Sequence, residues 1–432
     1  MKNNEDISGE DLEYIWHPCT QMKDHETLPL IPIKSAKGIY LYDFDGNSYI
    51  DAISSWWVNL FGHCNEKISG AIKEQSERLE HVLLAGFTHT PAIELAKRLV
   101  EISPAGLKKV FYADNGSSAV EVALKMSFHY HLNNGSHRGL FLSLSNSYHG
   151  ETIGALSVGD VDLYKKTYKH LLIENIQTPV PIDQSTEAAE NALIELERIL
   201  GRKGQDISAF IVEPLVQGAG AMHMYNPIYL EGARRLTKKY GILLIVDEIM
   251  TGFGRTGTMF ACEQAGISPD MMTLSKGLTG GYLPLSATLV TDEIYQAFYC
   301  DYNEHKAFLH SHSYTGNPLA CSAALATLDI FVENNILDQN REKSLYMGSL
   351  LDKFRDLPNV GSTRICGMIA AVELKGYDAE KRIGLKVYRY GLKHGVLLRP
   401  LGNVIYFMPP YIIKKDEIDK MIDTAYEAIS LL

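Results

Sequence analysis

The run Ile242-Leu243-Leu244-Ile245-Val246-Asp247-Glu248, with Lys276 in Leu274-Ser275-Lys276-Gly277 placed 29 residues beyond Asp247, decides how this chain is read. Five apolar residues without a polar break describe a strand buried on both faces, the pattern of a sheet with helices on each side. An aspartate that closes such a strand is costly unless a cation or a hydrogen-bond donor meets it. Taken alone, it could be a helix cap or a sheet-end ion pair. A lysine between Met271-Met272-Thr273-Leu274 and the glycines 277, 280 and 281 is ordinarily a surface residue. At a strand end facing a pocket, desolvation lowers its pKa and makes it a nucleophile toward aldehydes.

Outward from this stretch the pattern repeats. Val110–Tyr112, Leu140–Leu144 and Ala209–Val212 are further apolar strands, and Pro227–Lys239 is a helix. Ser118–Tyr130 carries Val120, Ala123, Leu124 and Ser127 on one helical face. Strands alternating with helices predict an α/β fold with a largely parallel sheet. In such sheets ligands lie outside the carboxyl ends of the strands. Two segments arrive at that edge. Ala113-Asp114-Asn115-Gly116-Ser117-Ser118 joins a strand to a helix whose first amides suit a phosphate, though a plain capped turn would look the same. Tyr148-His149-Gly150 brings an aromatic side chain able to stack on a flat ring, or to sit at the rim of the core. A lysine, a carboxylate and a phosphate cradle are the three requirements of pyridoxal 5'-phosphate (PLP): a Schiff-base partner, a group holding the pyridine nitrogen protonated, and an anchor.

The ends of the chain differ from its middle. Gly38–Asp51 alternates around the turn Asp45-Gly46, Gly367–Leu374 and Val396–Met408 read as strands, and a last helix begins near Lys415. The expected organisation is a small α+β domain built from both termini, residues 1–65 and 326–432, beside a large domain of residues 66–325.

Composition narrows the function. With 432 residues the chain supports more than one core. Its 46% apolar and 22% charged residues are those of a globular protein, and a net charge of −11 argues against a nucleic-acid partner. No apolar run approaches the ~20 residues of a membrane span. Met1–Glu13 is acidic and lacks the apolar segment of a secretory signal, so a cytoplasmic location without membrane attachment is expected. The six cysteines are scattered without a Cys-x-x-Cys pair, which fits free thiols. His63–Cys64 and His310/His312 lack a third ligand at a recognisable spacing, and no metal is expected.

The stretch Asp247-Glu248-Ile249-Met250-Thr251-Gly252-Phe253-Gly254-Arg255-Thr256-Gly257, followed by Pro269-Asp270 and Ser275-Lys276-Gly277, resembles the class III, or ω-, aminotransferases, PLP enzymes of fold type I. The likeness runs over essentially the whole chain. It implies that Lys276 holds the cofactor as a Schiff base and later carries a proton in a ping-pong reaction. Asp247 would pair with the pyridine nitrogen and Tyr148 would stack on the ring. Gly116 and Ser117 would hold the phosphate, joined by His312 and Ser313 from a second subunit, so a homodimer is implied.

Flanking segments resemble one branch of that family, which aminates 8-amino-7-oxononanoate (KAPA) to 7,8-diaminononanoate (DAPA) in biotin biosynthesis. They are Trp16-His17-Pro18, Ser54-Ser55-Trp56-Trp57, Thr88-His89, Val216-Gln217-Gly218-Ala219-Gly220, Gly316-Asn317-Pro318-Leu319-Ala320 and Arg399-Pro400-Leu401-Gly402. The branch implies Trp56 and Arg399 around KAPA, with Tyr148, Lys276, Ser311 and Cys19 as further substrate contacts. All three tryptophans fall within the first 57 residues, which favours an aromatic wall there. Cys19, Glu151 and Ser311-His312-Ser313 depart from the pattern of enzymes using S-adenosylmethionine (SAM). The donor is therefore SAM or lysine, and a generic ω-amino-acid aminotransferase is the remaining alternative.

Overall fold

The structure, a computed structural model, describes residues 2–432. A seven-stranded sheet forms its centre: β1 Leu107–Ala113, β2 Leu140–Leu144, β3 Asn175–Thr178, β4 Ile207–Val212, β5 Leu243–Asp247, β6 Met271–Leu274 and β7 Ser286–Thr291, in the order β1-β7-β6-β5-β4-β2-β3. Only β7 runs antiparallel to its neighbours. Leu244, Ile245 and Val246 of β5 are fully buried, each stabilising the fold by about 1.5–3 kcal/mol. That burial holds the strand in the middle of the sheet, so its last residue has to face the carboxyl edge. Parallel pairing then places Asp247 opposite Thr273 of β6.

Helix α1, Gly116–Asn133, follows β1 and starts two residues earlier than the apolar spacing predicts. Its cap explains the difference, since the Asn115 side chain accepts the Ser118 N–H at 3.0 Å and draws Gly116 and Ser117 into the first turn. Helix α2, Pro227–Tyr240, covers the sheet between β4 and β5. Among the described residues no single helix is long and apolar enough to cross a membrane.

Both termini add small antiparallel sheets, Ile33–Lys37 with Tyr40–Asp43 and Ser48–Ile50, and Val360–Cys366 with Ile369–Leu374 and Val404–Phe407. The expected strand over Val396–Met408 is therefore shorter. Val396 makes a single parallel bridge to Ile50, and the chain turns through Pro400–Asn403 before pairing resumes at Val404. Buried Arg255 donates to the carbonyls of Pro409 and Asn59, both at 2.9 Å, and so ties the loop after β5 to both terminal segments.

Candidate active site

A cavity of about 190 Å³ opens at the carboxyl edge of β1, β2, β4, β5 and β6. Five of the residues expected from sequence line it: Gly116, Ser117, Tyr148, Asp247 and Lys276. Each arrives because its strand ends there.

Asp247 is almost wholly buried and three donors orient it. His149 Nδ1–H donates to Oδ2 at 2.7 Å, while the Thr273 hydroxyl and the Ile249 N–H donate to Oδ1 at 3.2 and 3.1 Å. The carboxylate is thus fixed by the register of β5 against β6 and by the residue after Tyr148. Lys276 follows β6 with a left-handed φ of +42°, an uncommon conformation for a residue with a Cβ and one that clusters at functional sites. Burial pushes its pKa down to about 8 against the opposing attraction of Asp247 and Glu213. A useful share of the amine is then neutral near physiological pH. Its Nζ sits 4.6 Å from the Trp57 ring centroid, so the indole forms one wall of the lysine's pocket.

Glu213, at the end of β4, is buried and accepts the N–H groups of Tyr148 and Gly218, both at 2.9 Å. Desolvation raises its pKa to about 7.

The residues present fit PLP. The first-turn amides of Gly116 and Ser117 have no partner within the helix, and helix geometry gives that end a positive potential. The approach is close, since a Cβ on Gly116 would come within 3.1 Å of Ile249, and one on Gly150 within 2.1 Å of the Ser117 hydroxyl. A phosphate at this cradle, a lysine and a carboxylate within one small cavity are the donor set the cofactor requires.

Beside the cavity lies a more exposed mouth. The Arg399 guanidinium sits 4.7 Å from the Trp56 ring centroid, and Trp56 remains 41% exposed. Cys19 Sγ contacts Glu151 Oε1 at 3.6 Å, and the same oxygen accepts the Tyr148 hydroxyl at 3.0 Å. Tyr164 packs against Tyr148 with ring centroids 5.3 Å apart. Trp16, by contrast, is 86% exposed, so the aromatic wall consists of Trp56 and Trp57 alone among the tryptophans.

Ser311, His312 and Ser313 do not line the chain's own cavity. Their segment runs along the edge strand β1, where Phe308 packs on Phe111 and His312 Nδ1 lies 3.7 Å from Asp114 Oδ2. His149 and Glu213 carry no role in the sequence pattern, and Trp57 enters it only as part of an aromatic wall. The signal for His149 was its place after a strand whose end faces Asp247. Nothing local marks Trp57.

Comparison with known proteins agrees with this geometry. The family model described as aminotransferase class-III matches residues 21–429. The adenosylmethionine-8-amino-7-oxononanoate aminotransferase of Helicobacter pylori is 53% identical over 438 residues, covering 100% of this chain and 99% of that protein. The crystal structure of the like-named protein from Methanocaldococcus jannaschii superposes with a TM-score of 0.95 at 40% identity, covering 99% of each chain. An ω-transaminase from Pseudomonas jessenii, solved in complex with PMP, gives 0.92 at 31% identity over 98% of this chain and 97% of that one.

Proposed function

The chain belongs to the class III aminotransferases and is a PLP-dependent transferase, and from that premise we propose that it aminates KAPA to DAPA in biotin biosynthesis with SAM as the donor. The observation that carries this reading is the Arg399–Trp56 pair beside the cavity of Lys276 and Asp247. A guanidinium suits bidentate binding of a terminal carboxylate, and an indole covers an aliphatic chain.

When bound, the cofactor supplies an electrophilic aldehyde and an electron sink. Lys276, partly neutral because of its pKa near 8, would be the nucleophile that holds the cofactor's aldehyde and the base that moves a proton. Asp247, steadied by His149 and Thr273, would keep a proton on the cofactor's pyridine nitrogen. Gly116 and Ser117, at the start of α1, would receive the phosphate, and Tyr148 would cover the ring. Trp57 shields the lysine from water.

A homodimer completes the site in this reading, with His312 and Ser313 of one copy reaching the phosphate cradle of the other. Support comes from the exposed stretch that carries them, which also displays Leu309 and Tyr314 to the outside. The six free cysteines agree with a cytoplasmic location.

Lysine is the second reading for the donor. It is favoured by Cys19 and Glu151 at the mouth, where a carboxylate is available for a second ammonium group. Incubating the cofactor-loaded protein with KAPA and either SAM or lysine, with products read by mass, separates the two. DAPA from SAM is the expected result. No DAPA with either donor would overturn the assignment.

A further inference from the structure

Four successive residues, Ser54, Ser55, Trp56 and Trp57, have φ of +52°, +45°, +71° and +74°. This is a left-handed helical turn made without glycine. L-residues avoid it because Cβ crowds the following carbonyl, so something in the fold has to hold it.

Asp51 is fully buried and meets the turn directly. Its Oδ1 accepts the Ser55 N–H at 2.8 Å, and its Oδ2 accepts the Ser55 hydroxyl at 2.7 Å and His63 Nε2 at 3.0 Å. The far side of the turn is held by the Ser54 hydroxyl on the Met408 carbonyl at 2.7 Å and by Trp57 Nε1 on the Tyr406 hydroxyl at 3.0 Å. Ile50, just before Asp51, donates to Gly395 O at 2.8 Å and accepts from Leu397 N at 2.9 Å. The segment that carries Arg399 therefore hangs from the residue next to the one that launches the tryptophans. One anchor sets both sides of the mouth.

We infer that Asp51 is a positioning residue for the substrate mouth, holding Ser54–Trp57 left-handed so that Trp57 walls the lysine and Trp56 meets Arg399. The inference rests on the reading that Trp56 and Arg399 receive the oxo-acid. Asp51 touches neither and acts through Ser55.

The test uses cofactor-loaded Asp51→Ala, Ser55→Ala and the double variant Asp51→Ala/Ser55→Gly. In Asp51→Ala the KM for KAPA should rise about tenfold, with a smaller fall in kcat as Trp57 loosens from the lysine, while the visible absorption still shows bound cofactor. Adding Ser55→Gly should return the KM toward wild type, because glycine takes left-handed φ without steric cost. A folded Asp51→Ala with unchanged KM overturns the inference. So does a variant in which kcat and both substrate KM values move together and glycine restores nothing. Should Asp51→Ala fail to fold, Ser55→Ala has to raise the same KM by about threefold, and no rise there is equally decisive.

A second readout needs no substrate. In a Trp16→Phe/Trp56→Phe background, Trp57 is the sole tryptophan, and bound cofactor beside Lys276 should quench its emission. Asp51→Ala should relieve that quenching, and identical emission with and without Asp51 overturns the inference. A wild-type enzyme inert toward KAPA would sink the substrate reading alone and leave this measurement to decide on the turn.

Discussion

Asp247 meets the cavity because β5 ends there, and the alternation of a strand paired Asp247-to-Thr273 with β6 aims its carboxylate. Trp56 meets the neighbouring mouth from a left-handed turn that follows no periodicity, and its companion Arg399 comes from a segment more than three hundred residues further along. The cradle is regular, buried and built from consecutive β–α units. The mouth is exposed, and it is stitched from the N-terminal turn, the Arg399 segment and Cys19–Glu151. The contrast separates two kinds of residue, those whose place follows from the sheet and those whose place follows from a few side-chain hydrogen bonds.

If that division is right, damage to the cradle should abolish chemistry, and damage to the mouth should cost recognition. Lys276→Ala is the extreme case. Turnover should fall by at least about 10⁴-fold, and the visible absorption of the bound cofactor should shift to that of a non-covalent complex. Substantial retained turnover would place the nucleophile elsewhere. Asp247→Asn comes next, with a loss on the order of 10³-fold in kcat at nearly unchanged substrate KM. Cofactor titration checks that the variant still binds it. A large change in KM instead would blur the division between the two regions.

The same division explains what could be read in advance. Ala209–Val212 and Ile242–Val246 are unbroken apolar runs that mark a buried sheet, and the residues just after β1, β2 and β6, with Asp247 at the end of β5, are the ones that converge: Gly116, Ser117, Tyr148, Asp247 and Lys276. Hydrophobic spacing puts the start of α1 two residues late because a cap is a side-chain event that spacing does not register. Val396–Met408 looked like one strand because its apolar residues continue through the turn at Pro400–Asn403. The pose of Trp57, and with it the part played by Asp51, is illegible for a stronger reason. Non-glycine residues in left-handed conformation leave no mark in sequence, since only the surrounding structure makes them affordable. Arg399 and Trp56 entered through family resemblance, because no local rule brings two such distant segments together.

Arg399→Ala probes the mouth. Removing a charged hydrogen-bond partner of a carboxylate should raise the KM for KAPA by about 10- to 100-fold. The KM for a donor that does not use the guanidinium should change little, and kcat should stay near wild type. Steady-state kinetics with each substrate varied in turn would show this. Equal loss on kcat would move Arg399 into the cradle's category.

The smallest effect lies inside the cradle and concerns the charge next to Lys276. The lysine's pKa of about 8 reflects burial, which lowers it, opposed by Asp247 and Glu213, which raise it. Capture of PLP by the apoprotein needs the neutral amine, so its rate should climb with pH and level off above about 8, whereas an ordinary lysine would climb to beyond 10. The stability contribution has the same sign. The folded amine binds its proton less tightly than the unfolded one, so between about 8 and 10.5 the unfolded state carries more protons. In that window the apoprotein should gain stability with rising pH relative to Lys276→Ala. Glu213→Gln removes one of the two charges that favour the ammonium while keeping an acceptor for Tyr148 or Gly218. The midpoint of the capture profile should therefore move to lower pH. A midpoint that stays put would mean that Glu213 keeps its proton where Lys276 titrates, contrary to its own pKa of about 7. A midpoint that moves up would contradict the electrostatic account of the lysine altogether.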